Sequence, residues 1–570
     1  MTNGETVFGI DLGTTNSSIA FIQNGKPFIC KIDGSYLVPS VLSTNGRREI
    51  LVGQPAVNQS LLSPEQTIYH IKRKMGNEEV VVFNGESFTP QMLSSLILKR
   101  LKQAAEQISG VEVKKVVISV PAFFNEQQRQ ATQEAGELAG FEVLRLLNEP
   151  TSAALSYALS QSRRGLYLVY DLGGGTFDVS IVDLASEVME VRASCGDTHL
   201  GGADFDELIV KWLEEKFAEK HNTLISDAIG RIRLKRAAEK AKIRLSTELR
   251  AEIMEEAVAH DSDGVALHLQ ETLTRPEFEH MITLHLEKTL QSVNQALKEA
   301  SCTKDDIDHV IFVGGATHTP LVTQMLEEHL GVVPQAWIDP STAVVEGTAI
   351  EAANMTGQTL GSKMVDITPH SLGVGVFSEY YEYRNHILIH RNTPLPMVAS
   401  HVFYKMAADA NRVEIEVFQG EFSNPSANTL LGKFSLENLE ETENTEVLIK
   451  FTLDKSGLLR ASVEDLGTQK KVEKEIHRRK KERTVHANLA DLSMVRMQEE
   501  EDISFEPTLL DGKIEEISLS SELEKRVENL LGSGNLDRED RGELQRTYNQ
   551  AKEGEDGATE HLEELVYYLD

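Results

Sequence analysis

Two glycine-rich segments about 160 positions apart constrain this chain more than anything else in it. One reads Phe8-Gly9-Ile10-Asp11-Leu12-Gly13-Thr14-Thr15-Asn16, the other Val169-Tyr170-Asp171-Leu172-Gly173-Gly174-Gly175-Thr176-Phe177-Asp178. Each offers a strand, an Asp and a glycine turn, and an echo at that distance implies duplicated lobes rather than a short-period solenoid. Glycine lets backbone N–H groups approach phosphate oxygens, and threonine hydroxyls add donors. A carboxylate cannot face a phosphate directly, so Asp11 and Asp171 imply a hard cation such as Mg²⁺ in between, held partly through its waters. Two facing hairpins would clamp a polyphosphate. One such cluster alone reads equally well as a plain tight turn, whereas a matched pair does not. Gly196 to Gly202, where Gly201 and Gly202 precede a helix, and Val313-Gly314-Gly315-Ala316-Thr317 supply further turns, the former at a helix start suited to anions. No G-x-x-x-x-G-K-[ST] occurs, since Gly357 to Lys363 has the wrong spacing, and no G-x-G-x-x-G follows a strand.

At 570 residues the chain exceeds one hydrophobic core and should divide into one large and one or two smaller domains. Residues 1–357 mix apolar runs such as Val116 to Val120 with amphipathic helical ones such as Leu208 to Phe217, an α/β pattern. A linker is expected over 358–366. From 367 to 476 the period falls to two, as in Arg412 to Val417, and Asp454-Lys455-Ser456-Gly457 reads as a hairpin turn, so an antiparallel sheet or sandwich is expected. Residues 477–570 carry a basic cluster, an acidic stretch and then helical periodicity at Leu523, Val527, Leu530 and Leu531, which suggests a small helical unit. The net charge of -32 argues against nucleic acid as a main partner. Cys30, Cys195 and Cys302 stand too far apart for a disulfide framework or a thiolate zinc site. No apolar run is long enough to span a membrane, so a soluble, cytoplasmic protein is expected.

The phosphate segments, together with Val120-Pro121-Ala122-Phe123-Phe124-Asn125-Glu126-Gln127-Gln128-Arg129-Gln130-Ala131-Thr132, Leu147-Asn148-Glu149-Pro150-Thr151 and Glu239-Lys240-Ala241-Lys242, resemble the seventy-kilodalton heat-shock chaperone family of the DnaK type. The resemblance covers Thr6 to about Ile476 and weakens beyond; the shorter chain and Asp339-Pro340-Ser341-Thr342 look closest to the bacterial branch called HscC. It implies a two-lobed ATPase domain of the actin and hexokinase architecture, a β-sandwich that binds extended peptides and a short helical lid. ATP or ADP with Mg²⁺ would be the cofactor. By motif, Lys72 would orient the attacking water, with Glu149, Asp171 and Thr176 completing that end of the site, Asp11 and Asp171 holding the metal through water and Asp178 close by. Gly13, Thr14, Thr15, Asn16, Gly173, Gly174, Gly175, Gly201, Gly202, Gly314 and Gly315 would line the phosphates, and Glu239, Lys242 and Ser246, on one helix face, the adenosine. Pro121, Arg129 and Asp366 would couple the domains, Arg145 would meet a J-domain co-chaperone, and Phe377, Met406 and Val413 would hold the peptide. The plainer alternatives are a solvated Lys72, a helix-start Glu149, a turn Pro121, surface arginines at 129 and 145, and sheet core at Val413. Partners implied are unfolded clients, a J-domain protein and a nucleotide exchange factor, with the chain itself monomeric. The competing class is an actin-like or sugar-kinase-like nucleotide binder, against which the appended β region argues.

The chain departs from the family at Ala316 and His318, where Ser and Arg are usual, at Ile243, where many members place an arginine beside the adenine, and at Ser341. The linker Gly361 to Asp366 is also less apolar. With less cation–π and stacking support, ADP should bind loosely, with a calorimetric dissociation constant above about 1 μM; a value far below that would contradict the reading.

Overall fold

The computed structural model describes residues 6–475, apart from 46–48, 162–163, 185–187, 226, 262, 335–337, 359, 361–362, 379–381, 406–410, 438 and 440–444, together with Val527, Leu544, Thr547 and Tyr548. Two compact units are present, Met1–Met497 and Gln498–Asp570. In the second, the four described residues are helical and buried, which agrees with the periodicity at Val527; the remainder of the expected helical segment lies outside the described residues.

In the first unit, the duplication inferred from the glycine segments reappears in sheet topology. One sheet runs Glu142–Asn148, Lys115–Val120, Phe8–Leu12, Asn16–Gln23, Lys26–Ile29, with Val38–Pro39 also on Asn16–Gln23. The other runs His309–Val313, Leu166–Leu172, Phe177–Asp183, Val188–Asp197, Lys363–Ile367, Pro394–Leu395. Phe8–Leu12 lies parallel to Lys115–Val120 and forms a hairpin with Asn16–Gln23, just as Leu166–Leu172 lies parallel to His309–Val313 and forms a hairpin with Phe177–Asp183. Both glycine turns therefore sit at the same place, the tip of a hairpin whose first strand is central and buried. Near-continuous burial of Leu166–Leu172 fits a strand covered on both faces.

Helices Glu149–Gln161 and Ala343–Met355 pack together, and glycine permits their close approach. A β-carbon at Gly347 would lie 1.7 Å from the Ser152 carbonyl oxygen, and one at Gly9 2.2 Å from the Ala349 nitrogen. Helix Gly202–His221 buries Ile209, Leu213 and Phe217, the face read from the sequence, with Leu208 and Trp212 packed at its margin.

The period-two region forms two four-stranded antiparallel sheets. Tyr383–Ile389, Leu372–Phe377, Arg412–Gln419 and Thr429–Glu437 make one; Met397–Tyr404, Glu446–Leu453, Leu459–Asp465 and Lys470–Glu475 make the other. Val374, Ile415, Val417, Phe451 and Val463 join a single core drawn from both sheets. The expected hairpin turn is present: Gly457 has φ 74°, and Asp454 Oδ1 accepts from the Ser456 and Leu458 N–H groups. Where the expected linker ends, Lys363–Ile367 is a strand parallel to Val188–Asp197 with Asp366 buried. Among the described residues no helix is long and apolar enough to cross a membrane. Gly347→Ala should force the two helices apart at a cost of about 1–3 kcal/mol, lowering the melting temperature by a few degrees in calorimetry. An unchanged melting temperature would contradict the packing.

Candidate functional site

The hairpin tips meet. A β-carbon at Gly174 would stand 2.0 Å from Thr15 Oγ1, and one at Gly175 2.6 Å from Thr14 Cγ2, so only glycine allows this approach. The start of helix Gly202–His221 is tied to the second tip, with Gly202 N–H donating to Gly173 O at 2.9 Å and Ala203 N–H to Gly174 O at 2.8 Å. Gly314 is equally tight, a β-carbon there falling 2.4 Å from Leu172 O. Thus Gly13–Asn16, Gly173–Thr176, Gly201, Gly202 and Gly314 come together, with Gly315 following in the short turn Gly315–His318. Sequence reading missed Arg73, which clasps the two halves through a forked bond to Asp204 and a 3.2 Å bond from Nε to Gly175 O.

Beneath the tips lies a cluster of buried charge. Lys72 is 3% exposed on the turn Ile71–Lys74 and donates from Nζ to Glu149 Oε1 at 2.6 Å, so it is no solvated lysine. Asp11 accepts from Ser119 Oγ at 2.7 Å, Asp178 accepts from the Phe123 N–H at 3.1 Å, and Asp171 Oδ2 is buried with no hydrogen-bond partner. Burial, then Glu149, pushes Asp11 up to about 6, while Lys72 and Ser119 hold it down. Burial, then Glu149, also pushes Asp178 up to about 7, against the Phe123 N–H, Lys72 and Arg129. Asp171 is carried well above its ordinary range by burial, then Glu149, Asp178 and Asp11. One ammonium thus faces Asp11, Glu149, Asp171 and Asp178, and the orphaned Asp171 oxygen fits a further cation. Among the described residues no three His, Cys, Asp or Glu side chains are placed to bind a metal directly. The donor set therefore suits a hydrated Mg²⁺ reached through water.

The remaining nucleotide-side residues are less concentrated. Lys242 Nζ bonds Asp206 Oδ2 at 2.8 Å and Gly202 O at 3.0 Å, joining the helix Ala228–Leu245 to the glycine cluster. Glu239 and Ser246 are half-buried on and just after that helix, and Ile243 is exposed. Ala316 is buried, a β-carbon at Gly202 falling 3.4 Å from its own. His318 instead is exposed and borders a hollow along helix Pro320–Leu330, with Thr323 and Gln324.

From this cluster a short bonded path runs to the β-sandwich. Asp178 holds the Phe123 N–H, and the Phe123 carbonyl accepts from His370 Nε2 at 3.1 Å. Pro121 begins the same turn, its carbonyl accepting from Phe124 N–H at 3.1 Å. Arg129 is buried, not a surface arginine; it donates to Ala122 O, Phe124 O, Asn148 Oδ1 and, across the seam, Ser456 O. Asn148 Nδ2 donates in turn to Asp366 Oδ1 at 2.7 Å. Glu126, part of the quoted motif but given no role there, accepts the Leu459 N–H at 2.9 Å, and burial pushes it up to about 7. A second clamp sets Arg391 and Asn392 on Glu299 at 2.9 and 2.8 Å. Arg145 is likewise buried, paired with Glu351. Of the peptide residues, Phe377 is exposed and lies against Tyr383 with the rings tilted and centroids 5.0 Å apart, Val413 packs half-buried on the sandwich core, and Met406 lies outside the described residues.

The family model described as Hsp70 protein matches residues 7–82 and 77–567. The chain is similar to the chaperone protein DnaK of Thermotoga neapolitana, 42% identical over 477 residues covering 82% of this chain and 79% of that one. The chaperone protein DnaK of Thermosipho africanus is 43% identical over the same extent.

The sign of the Asp178 shift gives a test on the ligand-free, metal-free protein. Its folded value lies above the ordinary 3.8, so folding takes up a proton, and the stability this lends is lost as pH rises from about 4 through about 7. Asp178→Asn lacks that loss. Its melting temperature minus that of wild type should therefore rise over this window and then level off; a gap independent of pH would contradict the buried-charge reading.

Proposed function

The chain belongs to the Hsp70 family and is an ATP-dependent molecular chaperone with ATPase activity, and we propose the following assignment of its parts. Residues 1–357 form the two-lobed, actin-like ATPase domain, 358–366 the interdomain segment, 367–476 the β-sandwich that holds an extended apolar peptide, and 477–570 a lid-like helical part. The paired hairpins carrying the two glycine turns support the first, and the core shared by two antiparallel sheets supports the third.

The observation that carries the mechanism is the buried Lys72–Glu149 pair beneath two touching glycine tips. Backbone N–H groups of Gly13–Thr15 and Gly173–Thr176 receive the phosphates, Gly201, Gly202, Gly314 and Gly315 line their approach, and Ala316 and His318 stand beside the base. Lys72, oriented by Glu149, holds the attacking water and meets charge developing on the γ-phosphate. Thr176 adds a hydroxyl there. Asp11 and Asp171 would hold Mg²⁺ through water, with Asp178 next to them, and the ion would supply neutralisation of phosphate charge. Glu239, Lys242 and Ser246 face the adenosine.

Hydrolysis reaches the peptide through the seam. Pro121 to Phe124 lies between Asp178 and His370, while Arg129 and Asn148 connect it to Ser456 and Asp366. Phe377 and Met406 arch over the peptide and Val413 lines its central pocket. A J-domain protein engages Arg145, and an exchange factor assists ADP release. The chain acts as a cytoplasmic monomer with neither nucleic acid nor membrane as its main partner. The actin-like or sugar-kinase-like alternative is not favoured, because the similarity to DnaK chaperones runs through the peptide-binding region as well.

Lys72→Met should lower single-turnover hydrolysis by a factor of at least about 10² while ATP still weakens peptide binding. Hydrolysis at the wild-type rate would remove Lys72 from the mechanism.

A further inference from the structure

Arg145 lies on Glu142–Asn148, the edge strand of the first sheet, at a point where register slips between Val116 and Val117. That bulge leaves Leu144 unpaired and redirects the side chain after it. Arg145 Nη1 then reaches Glu351 Oε1 on helix Ala343–Met355 at 2.5 Å, with both side chains under 10% exposed. Its Nε is buried without any hydrogen-bond partner. A guanidinium carries five donors arranged to take a carboxylate two at a time, and here Glu351 takes one through Nη1 while Nε makes no hydrogen bond, so the pairing with Glu351 is incomplete.

The position matters because of its neighbours. Leu146 N–H donates to Ser456 Oγ of the β-sandwich at 3.1 Å, and Asn148 holds Asp366. An anionic group that engages Arg145 therefore arrives beside bonds that join the ATPase domain, the interdomain strand and the sandwich.

We propose that Glu351 is an internal competitor for the partner carboxylate that engages Arg145, and so sets how much J-domain protein is needed to drive hydrolysis. The inference rests on the reading of Arg145 as the J-domain contact. Glu351 already neutralises the guanidinium in a poorly hydrated place, so an incoming carboxylate gains less there than it would from an unpaired arginine and must also stand near a like charge. A glutamine at 351 keeps the shape and an acceptor oxygen while removing the charge.

The test is single-turnover ATP hydrolysis by the full chain against increasing concentrations of a purified J-domain, for wild type, Glu351→Gln, Arg145→Ala and the double variant. Glu351→Gln should lower the half-maximal J-domain concentration roughly five- to tenfold, leaving the maximal stimulated rate unchanged. Arg145→Ala should abolish stimulation and make Glu351→Gln silent. Stimulation lost in Arg145→Ala, combined with a half-maximal concentration in Glu351→Gln within about twofold of wild type, overturns the competitor role and leaves the Arg145 contact standing. Stimulation that survives Arg145→Ala, or is absent from both wild type and Glu351→Gln, removes the contact itself and the inference with it. A melting temperature and an unstimulated rate measured for each variant separate these outcomes from misfolding.

Discussion

Among the described residues, Lys72 is the ammonium set among the carboxylates of Asp11, Glu149, Asp171 and Asp178, with the Arg129 guanidinium also acting on Asp178, and most of the structure can be understood from that excess of negative charge. Buried carboxylates without matching positive charge are costly, and these remain only because strand ends, glycine tips and a helix start hold them in place. In the proposed reading, a cation and a triphosphate entering together relieve that cost, and such a site would favour the loaded state along with the arrangement of the surrounding protein that the loaded state requires.

That arrangement extends across the domain seam because the bonded path is short. Asp178 fixes the Phe123 amide, and the carbonyl of the same residue receives His370, whose ring is buried and whose pKa falls to about 4 chiefly because of that burial. His370 is therefore a neutral donor at physiological pH, and the link is a fixed hydrogen bond rather than a titrating one. Arg129 is the second strut, spanning two carbonyls of the Pro121–Phe124 turn, Asn148 and Ser456. The strand Lys363–Ile367 gives Asp366 a defined place on Asn148 and belongs to the second sheet.

Much of this was legible in the residues. Duplicated glycine hairpins, a period-two region and the Asp454–Gly457 turn are local signals, and local backbone chemistry determines them. The buried Lys72 was readable only from its motif context, since an isolated lysine is normally solvated. What stayed hidden was long-range pairing. Nothing near Arg73 announces Asp204, nothing near Glu126 announces Leu459, and nothing near Arg145 announces Glu351, because each partner is brought in by tertiary topology. The last residues of the segment read as a linker form the strand Lys363–Ile367, paired to Val188–Asp197 on one side and Pro394–Leu395 on the other, and no local signal announces either partner.

The central claim is that the nucleotide held at the carboxylate cluster governs the seam bonds through the Pro121–Phe124 turn. Amide hydrogen exchange at Glu126 and Leu459, compared between Mg²⁺–ATP and Mg²⁺–ADP, tests it most directly. The account predicts strong protection of both amides with ATP and rapid exchange with ADP. Equal protection in the two states would contradict it.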